Sequence, residues 1–131
     1  PKEDWERIHF LGNVPYNVFI EVLRISSVHV YLTYPFVLSW SLLEAMSLGC
    51  AIVASKTGPV VEFIEDEKSG ILVDFFDHDK LANEVLALLD NEQKRQALGL
   101  HAREKIQYSA DLRSVCLPAQ LNWIDSLISS C

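Results

Sequence analysis

The sequence predicts an α/β fold with a parallel sheet of about four strands, flanking helices and a helical C-terminal tail. Short runs of β-branched and aromatic residues without internal glycine or proline are typical of buried strands. Apolar residues at helical spacing lie between these runs, and the connecting segments are short. Because strands that alternate with helices favour parallel pairing, we expect residues 1–131 to form a single domain.

Four segments are predicted as strands. The sequence IHFLG predicts a strand over 8–11 that ends at Gly12, and VHVYL predicts a buried strand over 28–32. AIVAS at 51–55 and ILV at 71–73 are the other two, and turn residues follow or precede each of them.

Helices are predicted between the strands. Apolar spacing predicts an amphipathic helix over 18–25 and a short helix over 60–65. Ser41 and Glu44 have the S-x-x-E spacing of a capping box, which predicts a helix over 41–48.

The tail, from about residue 78 to 131, is predicted to be helical throughout. It contains LANEVLALL, a charged helix over about 93–106 and a last amphipathic helix. The apolar positions of that last helix are Leu117, Leu121, Ile124, Leu127 and Ile128.

Composition and charge exclude several classes of partner. The formal net charge of -7 argues against nucleic acid or an anionic membrane, because both require a basic surface. A local phosphate site is still compatible with this charge, because backbone amides at a helix start can bind phosphate. No apolar run reaches the roughly 18 residues of a transmembrane helix, and PKEDWER does not resemble a signal peptide. We therefore expect a cytoplasmic protein.

The cysteines and histidines do not indicate a metal site. The three cysteines, Cys50, Cys116 and Cys131, are far apart and odd in number, and the histidines lack ligand spacing such as HExxH. We therefore expect neither a disulfide framework nor a metal or other cofactor.

The most informative segment follows the 28–32 strand. In an open parallel sheet, ligands bind outside the carboxyl ends of the strands, where the 33–39 loop and the start of the 41–48 helix are expected. A helix start offers unpaired amides to a phosphate, and Ser39 and Ser41 add hydroxyl donors. The Glu44 carboxylate, one turn further on, can accept hydrogen bonds from both vicinal hydroxyls of a ribose.

Each of these residues also has a purely structural interpretation. A capping box by itself accounts for Glu44, and an N-cap accounts for Ser41. Trp40 could pack on the sheet as an apolar staple instead of stacking on a ligand. The local pattern alone leaves these alternatives open.

The string SLLEAMSLGCAIVAS, followed by TGPVVEFIEDEKSGILV, resembles the group-1 family of retaining glycosyltransferases. These enzymes have two Rossmann-like domains, the GT-B fold, and the strings match the C-terminal one. The resemblance covers roughly residues 8–90 and continues more weakly through HAREKI at 101–106. It implies a domain that binds a nucleotide-sugar donor and uses no metal.

The resemblance also assigns roles to individual residues. It implies that Glu44 binds the donor ribose, and that the amides of Trp40 and Ser41 approach the diphosphate. In the family the preceding loop reads Glu-Gly-Phe-Gly, and here Phe36 stands for the glutamate and Ser39 for the second glycine. Leu38 belongs to the same loop. Because phenylalanine cannot accept hydrogen bonds, the donor-sugar contacts must differ from the family pattern.

Three secondary candidates follow the 51–55 strand at the same edge. Lys56 could meet a phosphate, although a lone lysine there is usually solvated, and Gly58 lies in the family's glycine-rich loop. Glu62 matches the glutamate of the family's Pro-Glu position, but the helix dipole also favours a glutamate in a first turn.

The resemblance further implies that the chain is part of a larger enzyme. The family's catalytic Arg and Lys precede the matched region and its acceptor site lies on a separate N-terminal domain, so we expect no catalytic residue here and an inactive isolated chain. The four predicted strands would be the third to sixth of a 3-2-1-4-5-6 sheet, without the two central ones. The 8–11 strand is then expected either to pair with 28–32 or to form an uncovered edge.

Two other interpretations compete with a donor-binding domain. Phe36 favours a degenerate module that keeps the fold but has lost catalysis. Ser55 and Lys56 after a strand are typical of a signalling receiver domain, but that class needs acidic residues after its first strand, and here Gly12 and Asn13 follow instead.

Overall fold

The computed structural model describes residues 2–34 and 37–129, and within them it contains one parallel sheet of three strands. The strands are β1 (His29–Tyr31), β2 (Ile52–Ser55) and β3 (Ile71–Val73), in the order β1-β2-β3. Both pairings are parallel. The predicted α/β class is confirmed, with three strands instead of about four.

Helices connect and follow the strands. In chain order they are α1 (Lys2–Trp5), α2 (Tyr16–Ile25), α3 (Trp40–Ser47), α4 (Gly58–Val61), α5 (His78–Leu89), α6 (Glu92–Ala110) and α7 (Leu117–Ser129), with a π-helix (Leu112–Cys116) between α6 and α7. The π-helix and the short α1 were not predicted.

The prediction of a strand over 8–11 is wrong. These residues form no strand, and Phe10, at 83% exposure, has no core to pack against. The apolar pattern is suitable for a strand, but a strand needs a neighbour for its backbone groups. In the part of the chain that the structure describes, no strand pairs with residues 8–11. These residues therefore neither pair with 28–32 nor form an uncovered edge strand, the two predicted placements.

All four residues of β2 are buried, because the sheet is covered on both faces. Ile52 and Ala54 pack with α3 on one face, while Val53 packs on the other face against Leu88 of α5. The continuous apolar run of β2 is therefore what a central parallel strand requires.

The end of α3 lies close to the middle of α6. A Cβ atom on Gly99 would overlap the carbonyl oxygen of Gly49 and would lie 2.9 Å from its carbonyl carbon. Gly49 also has a positive φ of +76°, which glycine adopts without strain. The two glycines thus allow a backbone approach that fixes the direction of α3.

The tail is helical, as predicted, but its last helix has no buried residue. The apolar positions predicted for an amphipathic helix are all exposed: Leu117, Leu121, Ile124, Leu127 and Ile128. Among the residues that the structure describes, no helix combines the length and apolarity needed to cross a membrane.

Candidate functional site

The loop between β1 and α3 is fixed at both ends by hydroxyl groups. The Ser55 hydroxyl accepts a hydrogen bond from the Thr33 amide at 2.9 Å and donates one to the Thr33 carbonyl at 2.8 Å. Further along, the Ser39 amide donates to the Tyr31 hydroxyl at 3.0 Å. Both anchors are side chains at the carboxyl ends of strands, so the sheet itself positions the start of α3.

The first turn of α3 differs from the predicted capping box. Ser39 is the N-cap, and its hydroxyl accepts a hydrogen bond from the Ser41 amide at 3.3 Å and lies 2.9 Å from the Ser41 hydroxyl. The helix therefore begins at Trp40, and its N-cap lies two residues before the predicted cap, Ser41. Glu44 is then too far along the helix to complete a capping box with Ser39. Since capping now belongs to Ser39, the structural interpretation of Ser41 and Glu44 as a capping box is wrong.

Glu44 lies within α3 and is half-buried. Hydrogen-bonding interaction with the Glu44 carboxylate raises the pKa of Tyr16, the first residue of α2, above its ordinary value. Burial and the negative charge of Glu44 add to the same effect. Among the described ion pairs none includes Glu44. No cation within the described residues therefore neutralises its carboxylate.

The side chains around this helix start divide between solvent and core. Trp40 is 81% exposed, so it does not pack on the sheet as an apolar staple. Leu38 is partly buried, and its side chain packs against the core. Phe36, predicted at the position of the first family glutamate, lies outside the described residues.

The secondary candidates are at the end of β2, as expected. Lys56, Gly58 and Glu62 are exposed, and in the described part of the chain the side chains of Lys56 and Glu62 form no ion pair with the start of α3. Between them, Thr57 is buried and its hydroxyl has no hydrogen-bond partner within the described residues. The structure therefore brings these residues to one edge without joining them to Glu44.

An aromatic cluster, formed by Tyr34, Phe75 and Phe76, lies at the same edge. The ring of Tyr34, after β1, is 5.6 Å from that of Phe75 and 6.3 Å from that of Phe76, both of which follow β3. Because β2 lies between β1 and β3, the cluster spans the end of the central strand. These rings were not among the predicted site residues, although each lies within three residues of the end of a predicted strand.

Two depressions are found elsewhere, beside the segments that lead into the strands. One of about 260 Å³ is lined by Glu65, Lys68, Ser69, His101, Glu104, Lys105 and Tyr108. The other, of about 380 Å³, is lined by Arg24, Ser26, Ser27, Gly49, Ala51, Glu92, Arg95 and Gln96. Neither includes a predicted site residue, and both lie opposite the edge where parallel α/β sheets bind ligands. The open carboxyl edge is therefore a stronger candidate for a ligand site than these depressions.

A parallel α/β domain with a helix start and a carboxylate at its carboxyl edge is the arrangement of a nucleotide-binding domain. The family model described as Glycosyl transferases group 1 matches residues 2–105. The chain belongs to this family. The predicted resemblance is confirmed at that level.

Individual relatives agree with the family. An uncharacterized glycosyltransferase of Methanocaldococcus jannaschii is 31% identical over 101 residues, which is 76% of this chain and 26% of the relative. The chain thus spans about a quarter of the length of the curated relatives it matches.

Solved structures show the same fold. Sucrose-phosphate synthase from Thermosynechococcus elongatus matches with a TM-score of 0.86 and 23% identity, over 96% of this chain and 31% of the other. HepE of Anabaena, in complex with UDP and glucose, matches with a TM-score of 0.76 and 22% identity, over 94% of this chain and 32% of the other. At these identities the likeness concerns the fold.

Proposed function

We propose that this domain binds the nucleotide-sugar donor of a retaining, metal-independent glycosyltransferase. The amides at the start of α3 bind the diphosphate, and Ser39 and Ser41 add hydroxyl donors. The Glu44 carboxylate accepts hydrogen bonds from the ribose hydroxyls. Transfer to the acceptor requires a further domain and catalytic Arg and Lys residues that these 131 residues do not supply. The complete enzyme acts in the cytoplasm.

The observation that carries this proposal is the environment of the Glu44 carboxylate. It is half-buried, it is not used for capping, and no described cation pairs with it. A partly buried carboxylate needs hydrogen-bond donors, and a ribose would supply two. The UDP in the HepE complex supports uracil as the first base to test.

The experiment is a calorimetric titration of the complete protein with UDP-, GDP- and ADP-sugars. We expect saturable binding of one of them and a loss of about tenfold or more in the Glu44→Gln variant, since hydrogen bonds to a charged group contribute about 1.5–3 kcal/mol. The matched control is Glu104→Gln, an exposed glutamate beside the far depression, which should bind as the unmodified protein does. Equal affinity in both variants would remove Glu44 from the site.

Mechanism and metal dependence have separate tests. A retaining enzyme gives a product with the anomeric configuration of its donor, which NMR of the reaction mixture reports. Turnover that persists in excess chelator agrees with metal independence, and turnover that stops contradicts it.

A degenerate, non-catalytic module of the same fold is the second candidate, and Phe36 is the residue that favours it. The first carboxylate of the family motif could accept hydrogen bonds from the donor sugar, whereas a phenylalanine cannot. Absence of a saturable response to all three nucleotide sugars in the complete protein would support the degenerate module over the donor-binding domain.

A further inference from the structure

The aromatic cluster of Tyr34, Phe75 and Phe76 joins two segments that are distant in sequence. Its rings meet edge to face, with interplanar angles of 78° between Tyr34 and Phe75 and 86° between Phe75 and Phe76. The other ring pairs among the described residues each lie within one short segment of the chain. The fold, and not the local sequence, therefore brings these three rings together.

These rings do not belong to the hydrophobic core. Tyr34 is 63% exposed and Phe76 is 68% exposed, and Phe75 is half-buried. Neither core cluster of the described residues includes any of the three. Apolar groups that gather on a surface are typical of a ligand site or an interface, so packing within the domain does not account for them.

The cluster lies beside the start of α3. Tyr34 directly follows Thr33, whose backbone is bonded to the Ser55 hydroxyl at the end of β2. At the other end of the same loop, the Ser39 amide is bonded to the Tyr31 hydroxyl at the end of β1. Neighbouring strands are about 4.8 Å apart, so the cluster and the helix start lie at adjacent strand ends.

The order of groups in a sugar nucleotide places its sugar on this side. The diphosphate separates the ribose from the sugar. Glu44 lies one turn into α3, so a donor with its ribose at Glu44 and its diphosphate at the helix start extends its sugar towards the 33–39 loop and the cluster.

Two carboxylates bracket the phenylalanines in sequence. Asp74 and Asp77 are exposed, and none of the described ion pairs includes them. Asp74 accepts one hydrogen bond, from the Phe76 amide at 2.9 Å, which leaves most of its acceptor positions free. Negative charge here disfavours a phosphate, whereas the hydroxyls of a neutral sugar can donate to a carboxylate.

A pyranose ring is complementary to this surface. One of its faces presents C–H groups, which the negative face of an aromatic ring attracts, and its rim carries hydroxyls. We infer that the aromatic cluster and Asp74 bind the sugar of the donor, with the sugar stacked on the exposed rings and a hydroxyl donating to Asp74.

This inference rests on the proposed function and extends it to the donor sugar. Because Phe36 stands where the family has a glutamate, hydrogen bonds to the sugar must come from another residue, and Asp74 provides an acceptor. The two carboxylates further favour a neutral hexose over a sugar that carries an acid group.

The test is a calorimetric titration of the complete protein with UDP-glucose and with UDP, or with the GDP or ADP pair if the donor titration selects another base. We expect Tyr34→Ala and Phe76→Ala to bind the sugar nucleotide roughly three- to tenfold more weakly, the size of one aromatic contact. Both variants should bind the nucleoside diphosphate as the unmodified protein does. The effect is therefore a change in the ratio of the two dissociation constants.

Two controls make the result specific. Tyr34→Phe keeps the ring and removes only the hydroxyl, so it should retain the ratio of the unmodified protein. Tyr108→Ala removes a ring that is 84% exposed on α6, away from this edge, and should alter neither affinity.

The charge of the surface has its own test. The unmodified protein should bind UDP-glucuronic acid more weakly than UDP-glucose, and Asp74→Asn should narrow that difference because it removes one negative charge. An equal preference in the unmodified protein and in Asp74→Asn would remove Asp74 from the sugar site.

The outcomes separate the inference from the proposed function. Equal weakening of both ligands in the alanine variants would assign the rings to the nucleotide or to the fold, and unchanged affinities would assign the sugar to other residues. Either result overturns the inference while donor binding stands. A protein that binds no sugar nucleotide and no nucleoside diphosphate overturns the proposed function and the inference with it. Thermal denaturation verifies that each variant is folded before binding is compared.

Discussion

The two ends of α3 are built differently. At its carboxyl end, Ala45 and Met46 are fully buried, and Gly49 meets Gly99 of α6 without room for a methyl group. At its amino end, Ser39 and Trp40 are exposed, and the Ser39 and Ser41 amides form hydrogen bonds that help to hold the chain. One helix thus joins a closely packed edge of the sheet to an open one.

This difference separates stability from binding. The packed end fixes the axis of α3, so the amides at its open end keep their direction without a cover of side chains. Ligand sites in α/β folds are of this type, with functional loops on a rigid scaffold. Substitutions at the packed end should therefore change the free energy of unfolding, and those at the open end should change mainly affinity.

The largest effect is expected for Gly99→Ala. The added methyl would overlap the Gly49 carbonyl, and backbone atoms cannot move aside as a flexible side chain does. We expect a loss of about 3 kcal/mol in the free energy of unfolding, at the upper end for overpacked sites, although alanine is otherwise the better helix former. Urea denaturation measures it.

Gly58→Ala is the control for this substitution. A Cβ there meets no atom within 4 Å, and Gly58 does not have a positive φ. Its free energy of unfolding should change by less than about 0.5 kcal/mol, as at other unconstrained surface positions. A Gly99→Ala protein as stable as Gly58→Ala would mean that the close approach of α3 and α6 does not exist.

A smaller effect is expected at the open edge for Ser55→Ala. This change removes the partner of both backbone groups of Thr33. We expect a loss of about 1–3 kcal/mol, the cost of leaving part-buried polar groups unsatisfied.

Thr57→Val gives the matched comparison, because the Thr57 hydroxyl is buried but has no described partner. Removal of a hydroxyl that makes no bond should be neutral or stabilising. If Thr57→Val costs as much as Ser55→Ala, then the Thr57 hydroxyl has a hydrogen-bond partner outside the described residues.

Ser39→Ala tests which serine caps α3. Its hydroxyl accepts from the Ser41 amide, so its loss should reduce the free energy of unfolding by about 1 kcal/mol. Ser41→Ala should cost less, because Ser41 lies inside the helix. The reverse order would restore the capping box and with it the structural explanation of Glu44.

The strands and the site differ in how far the sequence predicts them. β2 and β3 follow from their apolar runs, because burial on both faces leaves a continuous pattern. The 8–11 segment has a similar pattern but no partner strand among the described residues, and strand pairing is a property of the sheet that the local sequence does not contain.

For the site, the sequence predicts the edge and the helix but not the contacts. Ser39 and Ser41 are both good caps, so the choice between them depends on the bond from the Ser39 amide to Tyr31. Tyr16 belongs to another helix, far from Glu44 in sequence, and no periodic pattern links the two. Such contacts depend on how helices pack on the sheet, which single-residue preferences do not specify.

The smallest effect concerns the pH dependence of the packed edge. His29, at the start of β1, has a buried Nε2 atom without a described partner, and burial lowers the pKa of His29 below its ordinary value. The His29 imidazole therefore binds a proton more readily in the unfolded chain than in the folded one. The free energy of unfolding should be at its full value above about pH 6.5 and should fall as the pH drops below it. His29→Gln should weaken this slope between about pH 8 and pH 5 in urea denaturation, and the exposed His101→Gln should not. Equal slopes in both variants would show that protonation of His29 costs the fold nothing, and that the packed edge admits water as readily as the open one.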